Sequence, residues 1–130
     1  MTDLPPGYVD PTDVAAVTDV VRATVETGGL AAVTDLLGRL PGVRVTPEVR
    51  KGFLRPAVPA AVWVGPENCW SCTDPPTLLH VVNGVVLHRD AVDPGEAPAL
   101  VGRLVADLVR RTGAVPDASA VLTAARDVAG

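Results

Sequence analysis

A pair of apolar runs separated by Asn83-Gly84 constrains the fold of this chain more than any other feature. The runs cover Thr77–Val82 and Val85–Asp90, and both are rich in valine and leucine. Asn-Gly is the preferred sequence for a two-residue turn between β-strands, because both turn positions require positive φ. The sequence therefore predicts an antiparallel hairpin over residues 77–90.

The length and composition favour one folded domain. A chain of 130 residues falls in the size range of a single domain, and 48% of its residues are hydrophobic, more than a disordered chain carries. Pro5, Pro6 and Gly7 mark residues 1–10 as an N-terminal lead-in. We expect residues 11–130 to form a single α+β domain.

Charge and hydropathy exclude two classes of partner. The net charge is −4, with 15 acidic and 11 basic residues, whereas nucleic-acid binding depends on lysine and arginine neutralising phosphates. No apolar run approaches the roughly 18 residues of a membrane span, and the N-terminus lacks the pattern of a signal peptide. We expect a cytoplasmic protein that binds neither nucleic acid nor membrane.

Two helices and two short strands are predicted before the hairpin. The first helix begins near Pro11 with Asp10 as its N-cap. Gly28-Gly29 ends or kinks that helix, and a second short helix follows over residues 30–40. Strands are predicted over 43–46 and 60–64, and residues 47–59 are predicted to be an irregular connection or a broken edge strand.

Two further helices are predicted after the hairpin. Asp93 and Glu96 resemble a capping box for a helix that starts near residue 94, or a few residues later because of Pro98. The last helix covers 116–128. The predicted order is ααββββαα, a small, mostly antiparallel sheet with helices packed on it.

The unusual chemistry of the chain lies between the predicted strands, at Cys69 and Cys72. Two intervening residues in a turn allow both sulfurs to face one side, where they can form a reversible disulfide or bind one metal ion. In the cytoplasm a structural disulfide is rare, so this spacing favours redox or metal chemistry. We expect Trp70 to shield the pair. The alternative is two small, half-buried residues without a chemical role.

The two histidines extend the pattern to a candidate zinc site. Cys69, Cys72, His80 and His88 have the types and spacings of zinc ligands. The two-residue turn pairs His80 with Leu87, so strand alternation predicts that the two histidines lie on opposite faces. The predicted ligands are therefore Cys69, Cys72 and His80, completed by water or by another subunit.

The segment over about residues 69–109 resembles a known family. Cys72-x3-Pro76, the run TLLHVV, Asn83-Gly84, a second strand and the helix DPGEAPALVGRLVADLV are similar to the C-terminal ββα part of thioredoxin-like proteins. The spacing is most similar to the thioredoxin-like two-iron, two-sulfur ferredoxins. That family's first cysteine pair has no counterpart here, and its second pair has three intervening residues instead of two. The resemblance implies a degenerate thioredoxin-like half, and an iron–sulfur cluster only where two chains each contribute Cys69 and Cys72.

A basic cluster precedes the cysteines. Arg44, Arg50, Lys51 and Arg55 lie within twelve residues of one another. A solvated loop explains such a cluster, and contact with an anion or an acidic partner is the functional alternative.

Two hypotheses for function follow. The first is a small accessory protein in redox or metal handling, in which Cys69 and Cys72 act as a reversible dithiol or metal-binding pair. The second is a non-enzymatic adaptor, or a homodimeric partner-binding protein, in which the cysteines have no chemical role. The sequence contains no dinucleotide fingerprint, phosphate loop or nucleophile elbow, which favours a protein that is not an enzyme.

Overall fold

The computed structural model describes residues 7–49 and 59–129, which form an α+β fold. In chain order the elements are α1 (Val14–Arg39), β1 (Arg44–Thr46), β2 (Ala61–Trp63), β3 (Asn68–Ser71), β4 (Thr77–Val82), β5 (Val85–Ala91), α2 (Ala97–Thr112) and α3 (Val115–Ala129). The strands form one sheet in sequential order, and every neighbouring pair is antiparallel. The predicted fold class is confirmed, with five strands in place of the four predicted.

The first helix starts three residues later than predicted and is longer. Asp13 is the N-cap, and its carboxylate accepts a hydrogen bond from the Ala15 N–H at 3.0 Å. Asp10 instead closes a turn by accepting from the Thr12 N–H at 2.9 Å, so its predicted capping role is wrong. Gly29 has φ 70° and ψ −167°, which kinks the helix. The two predicted N-terminal helices are therefore the halves of α1.

The second helix starts at Ala97, because Asp93 uses its hydrogen bonds in a preceding turn. The Asp93 carboxylate accepts from the Gly95 N–H at 2.8 Å, and its carbonyl accepts from the Ala97 N–H at 2.8 Å. Pro98 lies in the first turn of α2, where it removes no helical hydrogen bond. Gly113 ends the helix in the left-handed conformation at φ 71°.

The helices cover one face of the sheet and form the core with it. Trp70 of β3 is fully buried in this layer and donates its Nε1–H to the Thr34 hydroxyl at 3.0 Å. Around it pack fully buried aliphatic residues from the three helices, Val17, Val21, Val33, Leu37, Val101, Val105 and Leu122. No helix of the described residues is both long and apolar enough to span a bilayer.

Strand β3 lies where the sequence predicted a loop. It pairs with β2 and β4, and Trp70 lies between Val62 and Leu78 in register. The prediction was wrong because the strand has only four residues, and because prolines at positions 66 and 75 punctuate it on both sides. The predicted connection over 47–59 and the lead-in over 1–10 fall mostly outside the described residues.

The hairpin is confirmed, but its register contains a bulge. His80 pairs with His88, whereas the next pair is Val81 with Val86, so Leu87 is an extra residue in β5. The predicted pairing of His80 with Leu87 is therefore wrong. Because directly opposed residues share a face of the sheet, the two histidines lie on the same face.

Candidate functional site

The two cysteines lie on opposite faces of the sheet. Cys69 is buried within β3, and its neighbour Trp70 faces the helices, so alternation places Cys69 on the other face, which we call the outer face. The Cys72 N–H donates to the Ala60 carbonyl at 2.8 Å, which extends the ladder by one residue. Cys72 therefore lies on the helix-covered face, where it packs against the core. Both thiols are free.

The prediction that a turn brings the two sulfurs together is wrong, because residues 69–72 are extended. Three residues of extended strand separate the two Cα atoms by about 10 Å, since a strand rises about 3.3 Å per residue. A disulfide needs Cα atoms within about 7 Å. A reversible dithiol at Cys69 and Cys72 stays a prediction, and it requires residues 69–72 to leave the ladder.

The surroundings of both thiols favour the protonated form. Burial raises the pKa of the Cys69 thiol, with a smaller electrostatic contribution from Cys72, while Arg44 acts in the opposite direction. Burial also raises the pKa of Cys72, with a further contribution from the Asp35 carboxylate. Thiolates are the nucleophilic and metal-binding form of cysteine, so both side chains are poorly activated for that chemistry.

The predicted metal ligands are not brought together. His80 pairs with Asn68 in β3, so it lies on the face opposite Cys69 and at the other end of β3 from Cys72. Within residues 7–49 and 59–129, no three His, Cys, Asp or Glu side chains are grouped to hold a metal ion. Trp70, predicted to shield the pair, is a core residue that faces away from Cys69.

The outer face has a distinctive distribution of charge. Among its strand residues the charged ones are Arg44 of β1 and Arg89 of β5, and no carboxylate belongs to this set. The remaining strand residues on this face are Thr46, Ala61, Trp63, Cys69, Ser71, Thr77, Leu79, Val81, Val86 and Ala91.

One row of residues crosses all five strands on this face. Successive register pairs join Arg44, Trp63, Cys69, Leu79 and Arg89. The guanidinium carbon of Arg44 lies 4.9 Å from the centroid of the Trp63 ring, a cation–π contact. The row therefore has an arginine at each end and apolar side chains between.

A groove of about 440 Å³ adjoins the β1 end of this row. Arg44, Trp63 and Pro66 line it from the sheet side, and Arg111 lines it from α2. Arg111 is bound to Asp107 at 2.9 Å, and Asp107 is not among the groove residues. A further guanidinium, that of Arg111 in its ion pair with Asp107, therefore lies beside the β1 end of the row.

Sequence reasoning found only part of this surface. Arg44 belonged to the predicted basic cluster, whereas Arg50, Lys51 and Arg55 lie outside the described residues. Trp63 and Arg89 were not predicted as site residues. Strand alternation and the register between strands together identify these two residues. A single sequence does not supply the register.

Comparison with known proteins found no match to a family model, to a curated protein or to a solved structure. The resemblance to thioredoxin-like proteins therefore stays a prediction.

Proposed function

We propose that this protein is a non-catalytic binding module that holds an extended acidic segment of a protein partner against the outer face of its sheet. The observation that carries the proposal is the row from Arg44 to Arg89. Both ends of the row are cationic, and its middle is apolar. In this proposal Cys69, which is buried in the middle of the row, contributes no redox chemistry.

Charge separation within the molecule supports an acidic partner. The chain carries 15 acidic residues and a net charge of −4, yet the strand residues of the outer face include two arginines and no carboxylate. On the opposite face of β5, Asp90 is paired with His88. Arginine binds carboxylates through two parallel hydrogen bonds, so these positions favour aspartate or glutamate in the partner.

The spacing of the row defines the partner segment. Neighbouring strands lie about 4.8 Å apart, so the Cα atoms of Arg44 and Arg89, four strand spacings apart, are separated by about 19 Å. An extended peptide rises about 3.3 Å per residue, so acidic residues about six positions apart match the two guanidiniums. Six is an even number, which places both acidic side chains on one face of the peptide. Apolar residues between them would contact Trp63 and Leu79.

A fluorescence-polarisation titration with labelled synthetic peptides tests the proposal on the full chain. The probe has two glutamates separated by five alternating threonine and leucine residues, and the matched peptide has lysines in place of the glutamates. We expect only the glutamate peptide to bind, and its binding to weaken as salt is added. Exposed ion pairs contribute roughly 0.2–1 kcal/mol each, so the Arg44→Gln/Arg89→Gln variant should bind about 2–30-fold more weakly.

A control variant separates local recognition from overall charge. Arg103→Gln/Arg126→Gln removes the same charge from exposed positions on the helices and should bind as the wild type does. Equal binding of both peptides, or an equal loss in both double variants, contradicts the proposal. A concentration-dependent dimer that Leu79→Asp dissociates would instead assign the outer face to a second copy of this chain.

A further inference from the structure

The only two histidines of the chain face each other across the hairpin. His80 of β4 and His88 of β5 are register partners, immediately before the bulge. Directly opposed residues of antiparallel strands have Cβ atoms about 4.5–5.5 Å apart. Metal–nitrogen bonds of about 2.0–2.1 Å allow two imidazoles at that separation to bind the same ion.

Each imidazole also has a carboxylate near its Nε2 atom. The Nε2 atom of His88 lies 2.7 Å from Oδ2 of Asp90, and that of His80 lies 4.0 Å from Oε2 of Glu67. Histidines that bind metal commonly donate their other N–H to a carboxylate, which fixes the tautomer and the ring orientation. The 2.7 Å contact with Asp90 holds a proton on Nε2 of His88 and leaves the lone pair on Nδ1 for an ion. The 4.0 Å contact of His80 is too long for a hydrogen bond, so either of its ring nitrogens can face the ion.

We propose that His80 and His88 form a surface site for a divalent transition-metal ion such as Zn²⁺, Ni²⁺ or Cu²⁺. The ion would bind Nδ1 of His88 and one ring nitrogen of His80, and water would occupy the remaining positions. Imidazole suits these ions, whereas Mg²⁺ and Ca²⁺ prefer oxygen ligands. The histidine side chains are 45% and 68% exposed, so the ion can enter directly from solvent.

The site differs from the one that the sequence predicted. It uses His88 in place of the two cysteines, and His80 and Cys69 lie on opposite faces of the sheet. It also lies on the face opposite the row from Arg44 to Arg89, so it does not depend on the proposed binding of an acidic segment.

Metal binding would stabilise the pairing of the exposed strand β5 with β4. All seven residues of β5 are exposed, and the bulge interrupts its pairing with β4 directly after His80. A metal site with one ligand from each strand exists only while the two strands are paired. It therefore stabilises the hairpin by binding the folded state alone.

Calorimetric and thermal titrations of the full chain without a histidine tag test the site, with Zn²⁺ and Ni²⁺ as probes and Mg²⁺ as the control ion. We expect one ion per chain, and no binding of Mg²⁺. At a concentration about a hundred times the dissociation constant, the midpoint of unfolding should rise by on the order of 5–10 °C. Signals of both imidazoles should shift together in the NMR spectrum.

Variants identify the ligands. His80→Asn and His88→Asn should each weaken binding by at least about 10–100-fold, since even outer-sphere partners of metal ligands are worth that much. Leu87→Asn alters the same strand at an exposed position, and Cys69→Ser/Cys72→Ser removes the thiols; both should bind as the wild type does. Circular dichroism confirms that each variant folds. No binding to wild type, unchanged binding in the histidine variants, or loss of binding in the cysteine variant overturns the proposal.

Discussion

The two tryptophans of this chain lie on opposite faces of one sheet, and their surroundings differ sharply. Trp70 is fully buried beneath the helices, with its Nε1–H bonded to Thr34. Trp63 is half-buried on the outer face, under the guanidinium of Arg44. The same residue type therefore serves the core on one face and a charged, partly solvated surface on the other.

The comparison separates the face that forms the core from the face to which we assign binding. The helix-covered face buries Val62 and Trp70 against aliphatic residues of the helices, and burial of apolar surface is the main source of stability. The outer face combines apolar residues with guanidiniums, which a core does not need. We therefore expect substitutions on the first face to affect stability and those on the second to affect binding.

Removal of each tryptophan gives the largest predicted contrast. Trp70→Ala creates a cavity in the core and removes the indole N–H that donates to the Thr34 hydroxyl, so it should lower the free energy of unfolding by about 3–5 kcal/mol. Trp63→Ala removes a half-buried ring and one cation–π contact, and should cost about 1–2 kcal/mol. Denaturant titration measures both values. Equal losses would contradict the division between the two faces.

Two helical glycines allow a similar comparison between a packed position and an open position. A methyl group at Gly102 would collide with the Thr18 hydroxyl and lie 3.1 Å from the Val14 carbonyl oxygen. Gly102→Ala should therefore cost about 1–3 kcal/mol through overpacking where α2 crosses α1.

The matched change is Gly38→Ala, also within a helix but with no atom within 4 Å of the added methyl group. It should be neutral or stabilising by up to about 1 kcal/mol, because alanine favours the helix more than glycine does. Thermal unfolding of the two variants compares them directly. A destabilising Gly38→Ala would show that the exposed side of α1 is more constrained than its surroundings indicate.

Local signals in the sequence predicted much of the fold. The turn at Asn83-Gly84 was predictable, because these residues tolerate the positive φ angles of 51° and 78° that the turn adopts. The apolar stripe of α2, including Val101, Val105 and Leu108, was predictable because helical periodicity is a local property. The kink of α1 at Gly29 was predicted as one of two alternatives.

The errors arose where the outcome depends on partners distant in sequence. A four-residue strand between prolines has no local signal strong enough to identify it, and β3 exists because β2 and β4 pair with it on both sides. The bulge at Leu87 was not predictable from a two-residue turn, and it reversed the expected placement of the two histidines. The row from Arg44 to Arg89 joins residues 45 positions apart in sequence, so no motif could reveal it.

The two cysteines give the smallest predicted effect and the most direct test of their separation. The pKa of each thiol is raised, so between the ordinary value and the raised value the folded chain retains protons that the unfolded chain has lost. The free energy of unfolding should therefore fall as the pH rises through this range. The free energy of unfolding of Cys69→Ala/Cys72→Ala should fall less steeply, because this variant lacks both thiols.

At neutral pH, denaturant titrations of Cys69→Ala, Cys72→Ala and the double variant should give losses that add within about 0.3–0.5 kcal/mol, as for residues without shared contacts. Additivity is expected because the strand holds the two side chains on opposite faces, among different neighbours. A larger coupling under reducing conditions would mean that the thiols meet in solution. That result would restore the dithiol hypothesis and count against the proposed binding surface.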